Sequence, residues 1–118
     1  MNGEKLEKHL IVLTTVGFRA EISEELQAYL IEFALTHLNI DTDFAVFKHG
    51  EVNRTHLEDN NRTIVWENPL ILKKCYAKLD DYGEPSTWDE RYDEEIADEL
   101  RKAPNCRFTI TLMLAEEY

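Results

Sequence analysis

The chain has few of the residues on which the common catalytic motifs depend. Its 118 residues include four glycines and two cysteines. The glycines are scattered, so no glycine-rich loop is present to hold a phosphate group. The cysteines, Cys75 and Cys106, form no C-x-x-C motif, and we expect both to be buried free thiols in a reducing compartment.

Long apolar runs are also missing. The longest run near the N-terminus is residues 10–16, far below the roughly 20 residues that a membrane helix needs. No small-residue cleavage site follows it, so it does not resemble a secretion signal. We therefore expect a cytoplasmic protein that does not associate with membranes.

Positive charge is scarce. Thirteen lysines and arginines stand against 24 aspartates and glutamates, which gives a net charge of −11 and a pI of about 4.7. A chain of this charge offers no basic patch that would release counterions from a nucleic-acid backbone. We expect no direct nucleic-acid binding, and we expect a partner with a basic protein surface.

The histidines lack the spacing of a metal site. They are spread along the chain as His9, His37, His49 and His56. His37 falls on an apolar helix face, which predicts a core or interface group. His49 and His56 flank a predicted hairpin and could approach each other across strands, but no third ligand or nucleophile is adjacent. We expect no metal, no cofactor and no catalytic residue.

One acidic stretch stands out against this background, and it begins at Asp80. Ten carboxylates lie between Asp80 and Glu99, opposed only by Arg91, so this stretch carries −9 and the rest of the chain only −2. Thr87 and Glu90 match a capping box, and Pro104 is a stop signal. The pattern predicts a helix of roughly fifteen residues. Its apolar stripe consists of Trp88, Tyr92, Ile96 and Leu100.

The predicted helix carries more negative charge than folding requires. Its like charges at i,i+4 each cost about 0.2–0.5 kcal/mol, and these pairs are Asp89/Asp93, Glu90/Glu94, Glu94/Asp98 and Glu95/Glu99. Two interpretations stay open, a solvated outer face and a surface that meets a basic partner. We call the candidate partner-binding residues the acidic surface: Asp89, Glu90, Asp93, Glu94, Glu95, Asp98 and Glu99.

The order of elements predicts an α+β fold. Helices are expected at 23–38, with Ser23 as N-cap, and in the acidic stretch. Runs with strand character lie at 9–16, 44–49, 52–57, 63–67, 70–79 and 108–114. Short hairpin loops, one of them at His49-Gly50, favour antiparallel pairing. We predict one domain over residues 1–118, frayed at 1–8, with an antiparallel sheet of about five strands and two helices on one face. The first and last strands should lie side by side in the middle.

The helix predicted at 23–38 has a broad apolar face. Its main side contains Leu26, Tyr29, Leu30, Phe33, Ala34, His37 and Leu38. Ile31 and Leu35 widen this surface beyond what one sheet needs. Two interpretations are open: the helix is wedged against a second element, or it helps to form a homodimer through Ile31 and Leu35.

The first half of the chain resembles a known family. The residues that carry the resemblance are 15–17 (TVG), 22–23 (IS), 26–27 (LQ), Leu30 and 43–47 (DFAVF). They resemble the opening of a family of small proteins from Firmicutes, their phages and mobile elements that bears only a domain-of-unknown-function label. The resemblance implies a bacterial or phage accessory protein and carries over no catalytic residue.

Two functions follow as hypotheses. The first is a non-enzymatic interaction protein that presents the acidic surface to a basic groove. Carboxylates a few ångströms apart on a helix are comparable to the 3.4 Å charge spacing of one DNA strand, so a nucleic-acid mimic that inhibits a phage-defence or nucleic-acid enzyme would fit. The alternative is a small enzyme or ligand-binding protein that uses the His49/His56 hairpin and the loop after Gly17.

Overall fold

A computed structural model of the chain describes residues 10–81 and 108–118. In these ranges two helices and a 3-10 turn accompany one six-stranded sheet. The helices are α1 (Val16–Glu21) and α2 (Glu24–His37), and the 3-10 turn is Ala115–Glu117. The strands are β1 (Leu10–Thr14), β2 (Phe44–His49), β3 (Arg54–Glu58), β4 (Thr63–Asn68), β5 (Cys75–Asp81) and β6 (Phe108–Leu114).

The sheet is mixed, with the strand order β1-β6-β5-β2-β4-β3. The pairs β1/β6 and β2/β4 are parallel, and the other three are antiparallel. The α+β class is confirmed, whereas the prediction of an antiparallel sheet of about five strands is wrong in this detail. The predicted helix of the acidic stretch lies outside the described residues.

The predicted β2/β3 hairpin at His49-Gly50 is wrong, because β4 lies between the two strands. The reason is the apolar character of each strand. β4 buries Ile64 and Val65 and takes the inner position, whereas β3 is largely exposed at the edge of the described sheet. Central strands are apolar on both faces, and edge strands are not.

The first and last strands are neighbours, as predicted, but they pair in parallel, and β1 lies at an edge of the described sheet. β6 lies between β1 and β5. Its large apolar residues alternate with Thr109, Thr111 and Met113, a pattern that predicts a half-buried strand. Instead both of its faces are buried, including Thr109 and Met113.

The helix α2 follows its sequence signals. The Ser23 hydroxyl accepts a hydrogen bond from the Leu26 amide at 3.3 Å, as an N-cap should. Leu30, Phe33 and Ala34 are buried against the sheet. His37 is exposed rather than a core group, with its ring 4.2 Å from the Phe33 ring between centroids.

The main core lies between the helices and one face of the sheet. Phe33 stacks on Trp66 at 4.6 Å between ring centroids and meets the edge of Phe47 at 5.6 Å. Phe47 and Ala45 point toward α2, so their neighbours Phe44 and Val46 point to the opposite face. We call that opposite side of the sheet the second face.

Strand directions define two further edges of the sheet, distinct from its outer strands β1 and β3: the two sides on which strands begin or end. β1, β2, β4 and β6 run one way, and β3 and β5 run the other way. β2, β4 and β6 therefore begin at the edge where β3 and β5 end. Five carboxylates lie at or next to this edge, and we call it the carboxylate edge: Asp43, Glu58, Asp59, Asp80 and Asp81.

Among the described residues, neither helix has the length and apolar character needed to cross a membrane.

Candidate partner-binding site

The acidic surface itself lies outside the described residues. It comprises Asp89, Glu90, Asp93, Glu94, Glu95, Asp98 and Glu99. The structure does describe the two ends of the segment that carries it. Asp81 closes β5, Phe108 opens β6, and the two are register partners. The described residues that flank the segment therefore lie side by side, on the carboxylate edge.

The turn between β3 and β4 brings one carboxylate to this edge. Asp59, Asn60 and Asn61 all have positive φ, at 52°, 52° and 68°. Aspartate and asparagine tolerate this left-handed conformation better than other non-glycine residues. The turn closes with a hydrogen bond from the Arg62 amide to the Asp59 carbonyl at 3.0 Å.

The same turn is fixed to the loop that precedes β2. The Thr42 hydroxyl donates to the Asn61 carbonyl at 2.6 Å, and the Phe44 amide donates to the Arg62 carbonyl at 3.3 Å. Arg62 Nη2 then lies 3.3 Å from Asp43 Oδ2. These contacts place two carboxylates and one guanidinium beside the start of β2.

Three aromatic side chains form a cluster on the second face, next to these charged groups. Phe44 and Tyr76 come from the adjacent strands β2 and β5, with ring centroids 5.0 Å apart. Tyr118 packs on both, at 5.6 Å from Phe44 and 5.5 Å from Tyr76. We call these residues the aromatic triad. Its outer member, Tyr118, is 71% exposed.

The triad and the charged turn share one shallow pocket of about 330 Å³. The lining residues are Asp43, Phe44, Asp59, Arg62, Thr63, Tyr76 and Tyr118. Aromatic faces and carboxylates both attract cations. The chain itself gives an example, since Lys74 Nζ lies 5.6 Å from the centre of the Tyr76 ring.

The position of Tyr118 depends on its neighbour Glu117. The Thr15 hydroxyl donates to Glu117 Oε1 at 2.5 Å, the Leu114 amide donates to the same oxygen at 2.9 Å, and the Gly17 amide donates to Oε2 at 3.2 Å. The Thr15 bond, with help from these amides, lowers the pKa of the Glu117 carboxyl. The carboxylate thus holds the 3-10 turn against the start of α1.

A lysine makes a second contact to the same turn. Lys73 Nζ lies 3.0 Å from Glu21 Oε1 and 3.2 Å from Glu116 Oε1. Its hydrogen bonds, first to Glu21 and then to Glu116, raise the pKa of Lys73. The 3-10 turn therefore has two independent connections to the rest of the fold.

The loop after Gly17 was predicted as one half of the alternative site, but these residues belong to α1, and the Glu117 carboxylate lies against Gly17. A Cβ added at Gly17 would lie 2.6–2.8 Å from the carboxylate atoms of Glu117. The glycine is needed for a close approach within the chain, which gives its presence a structural reason.

The two histidines of the alternative site do not come together, so that prediction is wrong. His49 is in register with Asn68, and His56 with Val65. These β4 positions are three residues apart, which places them on opposite faces and about 10 Å apart along the strand. His49 Nδ1 lies 3.2 Å from the Ile71 carbonyl oxygen, and His56 Nε2 lies 2.7 Å from Glu58 Oε2.

Within residues 10–81 and 108–118, no three or more His, Cys, Asp or Glu side chains are grouped so that they could hold a metal ion. Cys75 is free and buried, and it donates to the Lys73 carbonyl at 3.3 Å. Burial, with the Glu117 carboxylate nearby, raises the pKa of this thiol to about 11. A thiol that stays protonated at neutral pH is a poor nucleophile or metal ligand.

Sequence reasoning missed the aromatic triad. A signal was present for two of its members. Phe44 and Tyr76 lie on the strand positions that alternate with the buried Ala45 and Ala77. Large aromatic side chains on the alternate, more polar face of a sheet are candidates for contact residues.

Comparison of the chain with protein-family models, with curated protein sequences and with solved structures gave no match. The resemblance of the first half to a domain-of-unknown-function family therefore stays a prediction.

Proposed function

We propose that this protein is a non-enzymatic interaction protein that binds a basic protein through its acidic surface. The observation that supports this most directly is where the acidic segment joins the fold. Its two ends meet at Asp81 and Phe108 on the carboxylate edge, so the most acidic part of the sequence is attached beside the carboxylates of the described fold. A partner with a basic surface would then meet both.

The state of the positive charges supports the same proposal. In the described residues, every lysine and arginine already has a partner within the chain. Five form ion pairs with carboxylates, namely Lys48, Arg54, Arg62, Lys73 and Lys78. Arg19 donates to the Thr14 carbonyl and hydroxyl, and Lys74 lies over Tyr76. These pairings weaken the repulsion of a cationic partner.

The class of partner follows from the charge pattern. A helix with carboxylates every two or three residues offers negative charges spaced like those of a DNA strand. We propose a cytoplasmic nucleic-acid-binding enzyme or a phage-defence enzyme as the partner, with this protein occupying the groove that its nucleic acid would use. A compact strip of one sign also accelerates association with such a groove.

The test measures the affinity for a fluorescent oligolysine peptide by anisotropy. Three neutralisations in the acidic surface, Glu90→Gln, Glu94→Gln and Asp98→Asn, form the first variant. The control variant removes the same charge from α2 by Glu24→Gln, Glu25→Gln and Glu32→Gln. We expect the first variant to bind several-fold more weakly than the wild type, and more weakly than the control.

Equal losses in the two variants would mean that only total charge matters. In that case the acidic surface is a solvated face and the proposal is wrong. Circular dichroism of each variant shows whether its fold is intact. Relief of the i,i+4 repulsions should leave the stability of the first variant unchanged or slightly higher.

A further inference from the structure

We propose that the pocket beside the aromatic triad binds an arginine side chain of the basic partner. This inference rests on the proposed function and adds to it a defined contact with one kind of residue. The guanidinium would lie against the exposed Tyr118 ring and pair with the Asp59 carboxylate. Both groups line the same pocket.

The aromatic part of the argument is the geometry of the triad. Phe44 and Tyr76 are fixed by neighbouring strands, and Tyr118 packs on both at 5.5–5.6 Å. Such a supported ring loses little freedom when a ligand stacks on it. Because Tyr118 is 71% exposed, much of its ring remains available to a partner. A cation over a tyrosine face gains roughly 0.5–2 kcal/mol depending on its desolvation.

The charged part of the argument is the pair of carboxylates. Asp43 already holds one guanidinium, since Arg62 Nη2 lies 3.3 Å from its Oδ2. No lysine, arginine or histidine among the described residues forms an ion pair with the exposed Asp59 carboxylate. The pocket therefore shows how a guanidinium binds at this place and keeps a second carboxylate available for another.

Arginine is favoured over lysine because of its shape. The planar guanidinium can stack on a ring and donate two parallel hydrogen bonds to a carboxylate in the same pose, whereas an ammonium is a point charge. An anionic ligand is disfavoured. Arg62, the one cation among the described residues that line the pocket, is paired with Asp43, and the Asp59 carboxylate would repel an anion.

The experiment measures the ratio of affinities for oligoarginine and oligolysine peptides of equal length. The acidic surface attracts both peptides by charge and contributes similarly to the affinity for each. The pocket is expected to discriminate between them. We expect Tyr118→Ala and Asp59→Asn each to lower the arginine-to-lysine ratio by about three- to tenfold. Tyr29→Ala and Glu32→Gln, which remove an exposed ring and a carboxylate from α2, should leave the ratio unchanged.

Arg62→Gln gives a test with the opposite sign. It frees the Asp43 carboxylate and removes a repulsive charge, so oligoarginine should bind more tightly. The Arg62 side chain is 64% exposed, and the variant should fold normally. Weaker binding of oligoarginine by a folded Arg62→Gln variant would show that freeing Asp43 and removing a positive charge do not favour a guanidinium at this place, which overturns the inference.

The two proposals fail in different ways. An unchanged ratio in both Tyr118→Ala and Asp59→Asn overturns the arginine pocket, even if the acidic-surface variant still loses affinity for both peptides. An acidic-surface variant that binds as well as its α2 control overturns the proposed function, whatever the ratio does.

Discussion

At the scale of single residues, Glu117 connects the most distant parts of the described chain. Its carboxylate accepts hydrogen bonds from Thr15, Gly17 and Leu114, and the next residue is the outer ring of the triad. A carboxylate that accepts several hydrogen bonds is stabilised in its charged form. The fold should therefore depend on the ionisation of this one group.

Glu117→Gln should lower the melting temperature at neutral pH. The pKa of Glu117 is lower in the folded than in the unfolded chain, mainly because of the Thr15 hydroxyl. Its contribution is therefore complete above the unfolded glutamate pKa, near pH 4.3, and is lost as the pH falls through the folded value. Thermal melts from pH 7 down to pH 3 should show a steady gap between the melting temperatures of wild type and variant at higher pH, and a gap that narrows below about pH 4.

Glu51→Gln is a suitable control, because Glu51 is exposed in the loop after β2. The melting temperature of this variant should equal that of the wild type at every pH. A constant gap for Glu117→Gln across the whole pH range would show that the loss comes from shape rather than from charge.

The effect of Gly17→Ala on the free energy of unfolding should change sign with the residue at position 117. In the wild type the new methyl group meets the Glu117 carboxylate at 2.6–2.8 Å, so the carboxylate must move and the protein is destabilised. In a Glu117→Ala background the same change meets no carboxylate. There it should stabilise α1 by about 0.5–1 kcal/mol, the usual advantage of alanine over glycine in a helix.

Chemical denaturation of the four proteins in this cycle measures the coupling. Destabilisation of equal size in both backgrounds would contradict the contact between Gly17 and Glu117.

At the scale of elements, features that depend on the local sequence were predicted correctly, whereas features that depend on contacts between distant residues were missed. Ser23, Glu24 and Glu25 marked the start of α2, and the structure places it there. Val16 was expected to end the first strand and residues 18–21 to form a connection, but residues 16–21 form α1, because Thr15 caps it and Glu117, a hundred residues later, binds its first turn. No local pattern contains that contact.

Strand pairing shows the same division. Residues 58–62 (EDNNR) are rich in turn-forming types, which predicts a turn, and β3/β4 is a hairpin. The parallel pairing of β2 with β4 depends on which strand buries more apolar surface. That comparison involves the whole sheet, so the loop at Gly50 could not reveal it.

The Phe33 side chain should account for much of the attachment of α2 to the sheet. It is buried and contacts both Trp66 and Phe47. Phe33→Ala should lower the free energy of unfolding by about 3–5 kcal/mol, as for other large core aromatics. Tyr29→Ala, on the exposed side of the same helix, should change it by no more than about 0.5 kcal/mol. Urea denaturation of the two variants checks both values, and equal losses would contradict the assigned helix orientation.

At the scale of the whole molecule, the net negative charge was evident in the sequence, whereas the pocket was not. The pocket joins Tyr118 to Asp59 across β5, β2 and β4, which are neighbours in the sheet but not consecutive in the sequence. Only the register of those strands brings the triad and the charged turn together. Composition could therefore predict the sign of the partner's charge but not a contact specific for arginine.

The homodimer predicted from the broad face of α2 stays a prediction. Leu35 is 37% exposed and Ile31 is half-buried against the core, so part of that face is available. A dimer through this surface should dissociate in a Leu35→Glu variant. Light scattering at micromolar concentration would show a dimer for the wild type and a monomer for the variant, and a monomeric wild type would end the hypothesis.

The most direct measurement of the central claim is the salt dependence of binding. Oligolysine affinity is measured for the wild type and for the acidic-surface variant between about 0.05 and 0.3 M salt, over which the Debye length falls to several ångströms. Steep weakening of the wild type and a clearly smaller slope for the variant are expected, because three of the contributing charges are gone. Identical slopes for the two proteins would contradict the claim that the acidic surface is where a basic partner binds.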